Sequence, residues 1–330
     1  MNEPIQHFNR ILQSFNMGAV CLDYRKVDHY SYYDLKLHPH TRVKDIQKYS
    51  DEISLALQAP CRPSVKVIHD QGLVRVEFIS VREAPLNLLD CFTNINIPLM
   101  ELPVLLGQAV DGKRVWMDLA QNPHLLVAGA TGSGKSTLMH NLVANIMNYN
   151  DVALHLVDPK NIEFNKYENA LTNTHVHYTY DDALRLINSC LDEMESRYQQ
   201  LRAGKSIGDF KHVIIIIDEY ADLIMQDRNE VFYSALCRLA QKCRAARMHI
   251  ILGTQRPSVN IIKGTIKANF PARIACRVAT HVDSKVILDA TGAENLLGKG
   301  DALIRDSFRF MERFQIAHIT ATEVCQYFGE

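Results

Sequence analysis

A lysine and a serine closing a glycine-rich turn, and two consecutive acids ending an apolar run, are the side chains of this 330-residue chain whose spacing could do chemistry together. Gly129, Ala130, Thr131, Gly132, Ser133, Gly134, Lys135 and Ser136 fit the pattern GxxxxGK[ST], and Thr137 follows. Glycines let a backbone wrap closely and aim successive N–H groups at phosphate oxygens, while a helix opening behind them adds its positive end. In such a loop Lys135 bridges the β- and γ-phosphates of ATP, and the Ser136 hydroxyl ligates Mg²⁺. Asp218, in VIIIIDEYADL, is placed to hold Mg²⁺ through water, and Glu219 beside it to polarise an attacking water as general base. Two acids at a strand end are common by themselves; about 80 residues behind a phosphate loop they point to ATP hydrolysis rather than binding alone. Thr254-Gln255 ends another apolar run, and Gln255 is a candidate sensor of the γ-phosphate or the water, with an ordinary strand-end turn as the alternative.

These residues need elements that carry them to one place. HLLVAG (124–129), VALHLVD (152–158), VIIIID (213–218), HIILGT (249–254) and ARIACRV (272–278) are short, continuous apolar runs, the pattern of strands buried on both faces. Helical stripes lie between them. KSTLMHNLVANIM opens directly behind the glycine-rich turn; Leu184, Ile187, Leu191, Met194, Tyr198 and Leu201 mark a helix over 181–202, and Phe232, Leu236, Leu239 and Cys243 mark another. Alternating strands and helices from 101 to 330 predict an α/β fold with a parallel central sheet. Residues 1–100 predict a small α+β module: a helix bearing Ile5, Phe8, Ile11, Leu12 and Phe15, strands at 18–27 and 30–39, one helix over 41–59, and a hairpin over 64–80 around Asp70-Gln71-Gly72.

Composition narrows the class. Hydrophobic residues make up 47% of the chain and charged ones 22%, which excludes wholesale disorder. Net charge is −1, so any pull on nucleic acid must come from a local patch. Eight cysteines, at 21, 61, 91, 190, 237, 243, 276 and 325, form no CxxC pair and read as reduced core thiols. No secretory signal opens the chain, and its apolar runs fall far short of the roughly 20 residues a membrane helix needs. The expectation is a soluble, cytoplasmic protein without membrane insertion.

The motifs together carry a family resemblance. PHLLVAGATGSGKS, LVDPKNIEF, DEMESRY, VIIIIDEYADL, RLAQKCRAARMHIILGTQRPSVNIIKGTIKANFPARIA and DSKVILDATGAENLLGKGDAL resemble, in order and rough spacing, the blocks of FtsK/SpoIIIE translocases. The likeness is dense from Pro123 to about Leu303 and weaker across the first hundred residues, which resemble the family's α module ahead of its RecA-like β module. The resemblance implies a homo-oligomeric ring, most often a hexamer, with ATP at subunit interfaces and double-stranded DNA through the centre. Arg244, in QKCRAAR, matches the family arginine that reaches the neighbour's ATP, a contact worth about 10³–10⁵ in rate in well-studied cases; by itself it would be an arginine satisfying a helix end. Where the family has a lysine, this chain reads Thr280-His281-Val282-Asp283-Ser284, and a histidine can replace that cation only when protonated or through one N–H.

The segment from Arg256 to Asn269 holds three cations and no acid. In the family it forms pore loops along the DNA backbone, which makes Arg256, Lys263, Lys267 and Lys285 the candidate phosphate contacts; without the resemblance they would read as solvated surface cations. The family's membrane anchor, long linker and winged-helix module are not expected here. That leaves a bare motor whose loading would depend on another protein, an architecture suited to segregation, transfer or resolution of DNA, for instance of a mobile element. The alternatives are a genome-packaging ATPase, a protein-secretion ATPase of the same fold family, and a slow nucleotide switch, against which Glu219 argues.

Overall fold

The computed structural model describes residues 3–27, 30–59, 62–79, 85–92, 96–168 and 173–329. Cys61 and Ser80, the end of the expected hairpin, lie outside them. The chain forms two compact units, Met1–Pro85 with Ala109–Lys113, and Leu86–Gln108 with Arg114–Glu330.

In the first unit the apolar face of α1 (Glu3–Ser14) covers a four-stranded antiparallel sheet of order β1-β2-β4-β3, built from β1 (Ala19–Val27), β2 (Tyr30–Leu37), β3 (Ser64–Ile68) and β4 (Leu73–Ile79). Phe8, Leu12, Leu35, Ile46 and Ile53 are fully buried, and Phe8 stacks on Tyr33 with ring centroids 4.3 Å apart. The hairpin closes with Ile68 opposite Leu73, and Gly72 takes the left-handed φ of +64°. The single helix expected over 41–59 is instead two, α2 (Val43–Lys48) and α3 (Ser50–Ala56). Tyr49 leaves helical geometry between them (φ −97°, ψ 20°), its ring against Phe15, and the Ser50 hydroxyl takes the Gln47 carbonyl at 2.8 Å. A serine that bonds the preceding turn competes with the helical ladder, a conflict apolar periodicity does not register.

The second unit is a ten-stranded sheet of order β6-β5-β14-β13-β12-β7-β11-β10-β8-β9. Its strands are β5 (Pro103–Ala109), β6 (Arg114–Asp118), β7 (His124–Ala128), β8 (Val152–Val157), β9 (Thr174–His177), β10 (His212–Ile217), β11 (Met248–Thr254), β12 (Ala272–Cys276), β13 (Asp301–Arg305) and β14 (Glu312–Ile316). From β12 through β9 neighbouring strands run parallel, whereas β13 pairs antiparallel with β12 and with β14, and β6 with β5. Every residue of β7, β10 and β11 is buried, as strands covered on both faces require.

Helices α4 (Leu88–Phe92), α5 (Lys135–Ile146), α6 (Tyr180–Arg202), α7 (Tyr220–Gln226), α8 (Val231–Lys242), α9 (Gly264–Asn269), α10 (His281–Leu288) and α11 (Ala321–Phe328) complete the unit. Thr179 and Asp182 close a capping box at the start of α6, and the buried stripe Ile187–Cys190–Met194 joins one core with Phe232 and Leu236 of α8. Because β7, β8, β10 and β11 are parallel, the phosphate loop, Asp158, Asp218 and Thr254 all fall at one edge of the sheet. Among the described residues no helix is long and apolar enough to cross a membrane.

The opposite edge carries histidines. His124 opens β7, His212 opens β10, and His249 is second in β11; His212 Nδ1 and His249 Nε2 lie 2.9 Å apart. Burial pushes His124 down to about 4, and burial with the neighbouring His212 pushes His249 down to about 3. Both rings therefore stay neutral in the folded chain, while an unfolded chain, with histidines near 6.5, takes up protons. Their contribution to stability is complete above about pH 6.5 and is lost as pH falls through the range down to the folded values. Between about pH 7 and pH 5 each ring should remove roughly 2 kcal/mol of unfolding free energy, read as a falling urea midpoint. A midpoint constant over that range would contradict buried neutral rings.

Candidate functional site

The glycine-rich turn leaves β7 at Gly129, whose N–H donates to the Thr254 carbonyl at 3.2 Å. It closes at Gly134, which caps α5 with φ +112° and ψ 6° and without any side-chain cap. A β-carbon at Gly134 would suffer the left-handed backbone and lie 2.5 Å from the Gly300 nitrogen. The first-turn N–H groups of α5, at Lys135, Ser136 and Thr137, have no acceptor within a helix and face the turn. Thr131 and Gly132 are exposed at its tip, and Ser133 is buried beneath it.

Lys135 is 3% exposed, and its ammonium donates to the Asp218 carbonyl oxygen at 2.8 Å and to the Asp218 carboxylate. The side chain reaches from the start of α5, behind β7, to the end of β10, with β11 between the two strands. On β11 a β-carbon at Gly253 would lie 2.4 Å from the Asp218 carbonyl oxygen and 2.5 Å from Met139 Cε. Burial pushes the Asp218 carboxyl up, and Lys135 opposes that shift.

Glu219 is 1% exposed and surrounded by donors. Thr254 Oγ1 donates to its Oε1 at 2.8 Å, and the Gln255 N–H reaches Oε1 at 3.2 Å and Oε2 at 3.0 Å. Lys160 Nζ lies 3.5 Å from Oε2 and 3.6 Å from Asp222. The Gln255 side chain turns the other way and accepts from Thr131 Oγ1 at 3.1 Å. Gln255 thus touches both the phosphate loop and Glu219.

Several residues at this edge were not among the candidates drawn from the sequence. Asp158 ends β8 fully buried; its Oδ2 accepts the N–H groups of Ile162, Glu163 and Phe164, each at 2.9 Å, and its Oδ1 is buried without a partner. Glu163 accepts from Ser136 Oγ at 2.6 Å and lies 3.4 Å from His140, which, with Ser136, holds its carboxyl down at about 2 against the effect of burial. Asp158, Lys160 and Glu163 lie in LVDPKNIEF, a block that carries the family resemblance but gives none of the three a role. Gly300 donates to the Ser133 carbonyl at 2.9 Å and Lys299 to the Gly132 carbonyl at 3.4 Å, so a second loop supports the first. Arg313 fixes that loop through two bonds to Asp301 at 2.9 and 2.7 Å. Among the described residues no cluster of three acidic, histidine or cysteine side chains is placed to hold a metal ion, so a cation here would take the Ser136 hydroxyl together with phosphate oxygens and water.

The remaining candidates lie elsewhere. Arg244 is exposed in the turn Cys243–Ala246 that precedes β11, on the side of His124. Five residues of β7, on the order of 17 Å, separate that edge from the phosphate loop. Arg256 is exposed, and its guanidinium meets Met225 Sδ at 3.2 Å. Lys263 pairs with Glu230 at 2.6 Å and lies 4.4 Å over the Tyr233 ring. Lys267 pairs with Asp289, which Arg273 also binds. Lys285 is exposed on α10, and His281 is exposed at the first position of that helix, behind a capping box of Thr280 and Asp283.

A phosphate loop ahead of a helix N-terminus, two acids at the end of a strand one removed from it and a largely parallel sheet define a P-loop ATPase of the RecA-like class. Residues 96–209 and 203–259 match the FtsK/SpoIIIE family. The DNA translocase FtsK of Borreliella burgdorferi is 35% identical over 98% of this chain and 44% of its own length, and that of Haemophilus influenzae 33% identical over 91% and 65%. The chain belongs to the FtsK/SpoIIIE family and spans from under half to about two thirds of the length of these relatives. Its fold is similar to that of the pCW3 conjugation coupling protein TcpA, solved with ATPγS (TM-score 0.67, 22% identity, 99% of both chains), and of the EccC cytoplasmic domain of Thermomonospora curvata (TM-score 0.64, 20% identity, 74% of this chain and 34% of that one).

Gly253→Ala should cost about 1–3 kcal/mol, because the new methyl meets a backbone oxygen that cannot swing aside. Chemical denaturation checks this, and a variant as stable as the parent would show that the backbone around Gly253 gives way to the added methyl.

Proposed function

We propose that the chain is the ATP-hydrolysing motor unit of a cytoplasmic double-stranded DNA translocase that works as a homo-oligomeric ring, most simply a hexamer. The observation that carries this reading is the convergence of Lys135, Asp218 and the clamped Glu219 on one strand edge behind an uncapped helix. The amides of the turn from Gly129 to Thr137 bind the phosphates, and Lys135 exchanges Asp218 for a phosphate oxygen. Ser136 and Asp218 would hold Mg²⁺, which when bound would neutralise charge on the phosphates. Glu219, aimed by Thr254 and Gln255, takes the proton of the attacking water, while Gln255 registers the state of the phosphate loop through Thr131.

Arg244 lies at the far edge of the sheet from its own phosphate loop, which suits service to a neighbouring subunit's ATP. His281 contributes there only through an N–H or when protonated. Arg256 and Lys285 supply exposed charge to a DNA backbone, and Lys263 and Lys267 join them by exchanging Glu230 and Asp289 for phosphates. Contacts of this kind ignore base sequence, and a separate loading partner would select where the motor acts.

Steady-state ATP hydrolysis should rise on adding long linear duplex DNA at low salt, with the stimulation falling as salt increases. A rate indifferent to DNA at low salt would overturn the DNA assignment. Glu219→Gln should retain nucleotide and lose turnover. Arg244→Ala should bind nucleotide normally and lose about 10³-fold or more in turnover, as loss of a finger arginine does; normal hydrolysis by this variant would remove it from the neighbour's site.

A further inference from the structure

Behind Ser136 runs a chain of polar contacts that the hydrolytic roles above leave unused. Ser136 Oγ meets Glu163 Oε1 at 2.6 Å, Glu163 Oε2 lies 3.4 Å from His140 Nε2, and His140 Nδ1 lies 2.9 Å from the Tyr167 hydroxyl. Hydrogen counting gives the chain a direction. An ionised carboxylate only accepts, so Ser136 donates to one oxygen and an N–H at His140 Nε2 donates toward the other. On its far side the His140 ring meets the Tyr167 hydroxyl, which can donate to or accept from Nδ1. With its proton committed to Glu163, Ser136 keeps its lone pairs turned away from that carboxylate.

The parts of the chain are rigidly placed. Ser136 and His140 are four residues apart on α5 and share a face. Glu163 and Tyr167 sit on the loop behind β8 that Asp158 folds through three backbone bonds. Phe164 and Tyr167 are fully buried, so the loop cannot swing away without exposing two aromatic rings.

We propose that Glu163, backed by His140 and Tyr167, is the positioning residue that aims the Ser136 hydroxyl at the divalent cation. This rests on the reading of Ser136 as a cation ligand. A hydroxyl that gives a lone pair to a cation becomes a stronger hydrogen donor and needs an acceptor on its other side. A carboxylate at 2.6 Å is such an acceptor, and it adds negative charge just outside the cation's own ligands.

The test uses the full chain and a fluorescent, non-hydrolysable ATP analogue, with binding measured in EDTA and across a Mg²⁺ titration. In the parent, Mg²⁺ should tighten the complex. Glu163→Gln, which keeps the side-chain shape but brings an N–H₂ against two donors, should raise the half-saturating Mg²⁺ about 10–100-fold, the usual effect of losing such a partner. Affinity in EDTA should not change and serves as the folding control. His140→Phe should shift the Mg²⁺ requirement in the same direction, and it decides the matter if Glu163→Gln loses binding in EDTA. A parental Mg²⁺ requirement in the folded variants would overturn the proposal while leaving the nucleotide site intact. A parent that binds no analogue, with or without Mg²⁺, would overturn the underlying reading instead.

Discussion

Lys135 and Asp218 lie buried together at the centre of the sheet, and the active edge is arranged around that contact. Taking either charge out of water is costly unless the other is close and the remaining donors are satisfied. The ammonium therefore also holds the Asp218 carbonyl. Through this contact the end of β10 is tied to the start of α5, two elements not adjacent in the sheet. Glu219 follows Asp218 directly, so its clamp by Thr254 and Gln255 of β11 is fixed by the same tie.

The loops around that centre share one device, a sequestered aspartate that gathers backbone N–H groups. Asp158 takes three of them, and Asp227 takes those of Val231, Phe232 and Tyr233 together with the Tyr180 hydroxyl. Asp301 combines the Leu297 N–H with the Arg313 guanidinium. Each carboxylate replaces the hydrogen bonds a loop would otherwise find in a ladder or in water. Loops of this kind hold side chains in place as strands do, which is why Glu163 and Gly300 meet the phosphate loop at hydrogen-bonding distance.

Charge on the outer segment is organised differently. The run from Arg256 to Asn269 is basic along the sequence, yet Glu230 and Asp289 fold back onto two of its lysines. Exposed pairs of this kind contribute little to stability and break readily in favour of a polyanion. The net charge of −1 thus hides a surface whose cations are held by short, replaceable contacts.

Local patterns were legible in the sequence. Continuous apolar runs marked β7, β8, β10, β11 and β12, and the glycine-rich turn and the acid pair marked one strand edge, because burial on both faces and close backbone approach dictate residue type position by position. Strands such as β9, β13 and β14 were not, since polar and charged residues sit at several of their positions and their partners decide them. The break at Tyr49 was hidden because the apolar period runs straight through it. Only tertiary structure decided which acid meets Ser136, what clamps Glu219, and where Lys263 and Lys267 find acids. Those contacts join residues 22 to 36 positions apart in sequence, and nothing in the local pattern of either partner encodes the meeting.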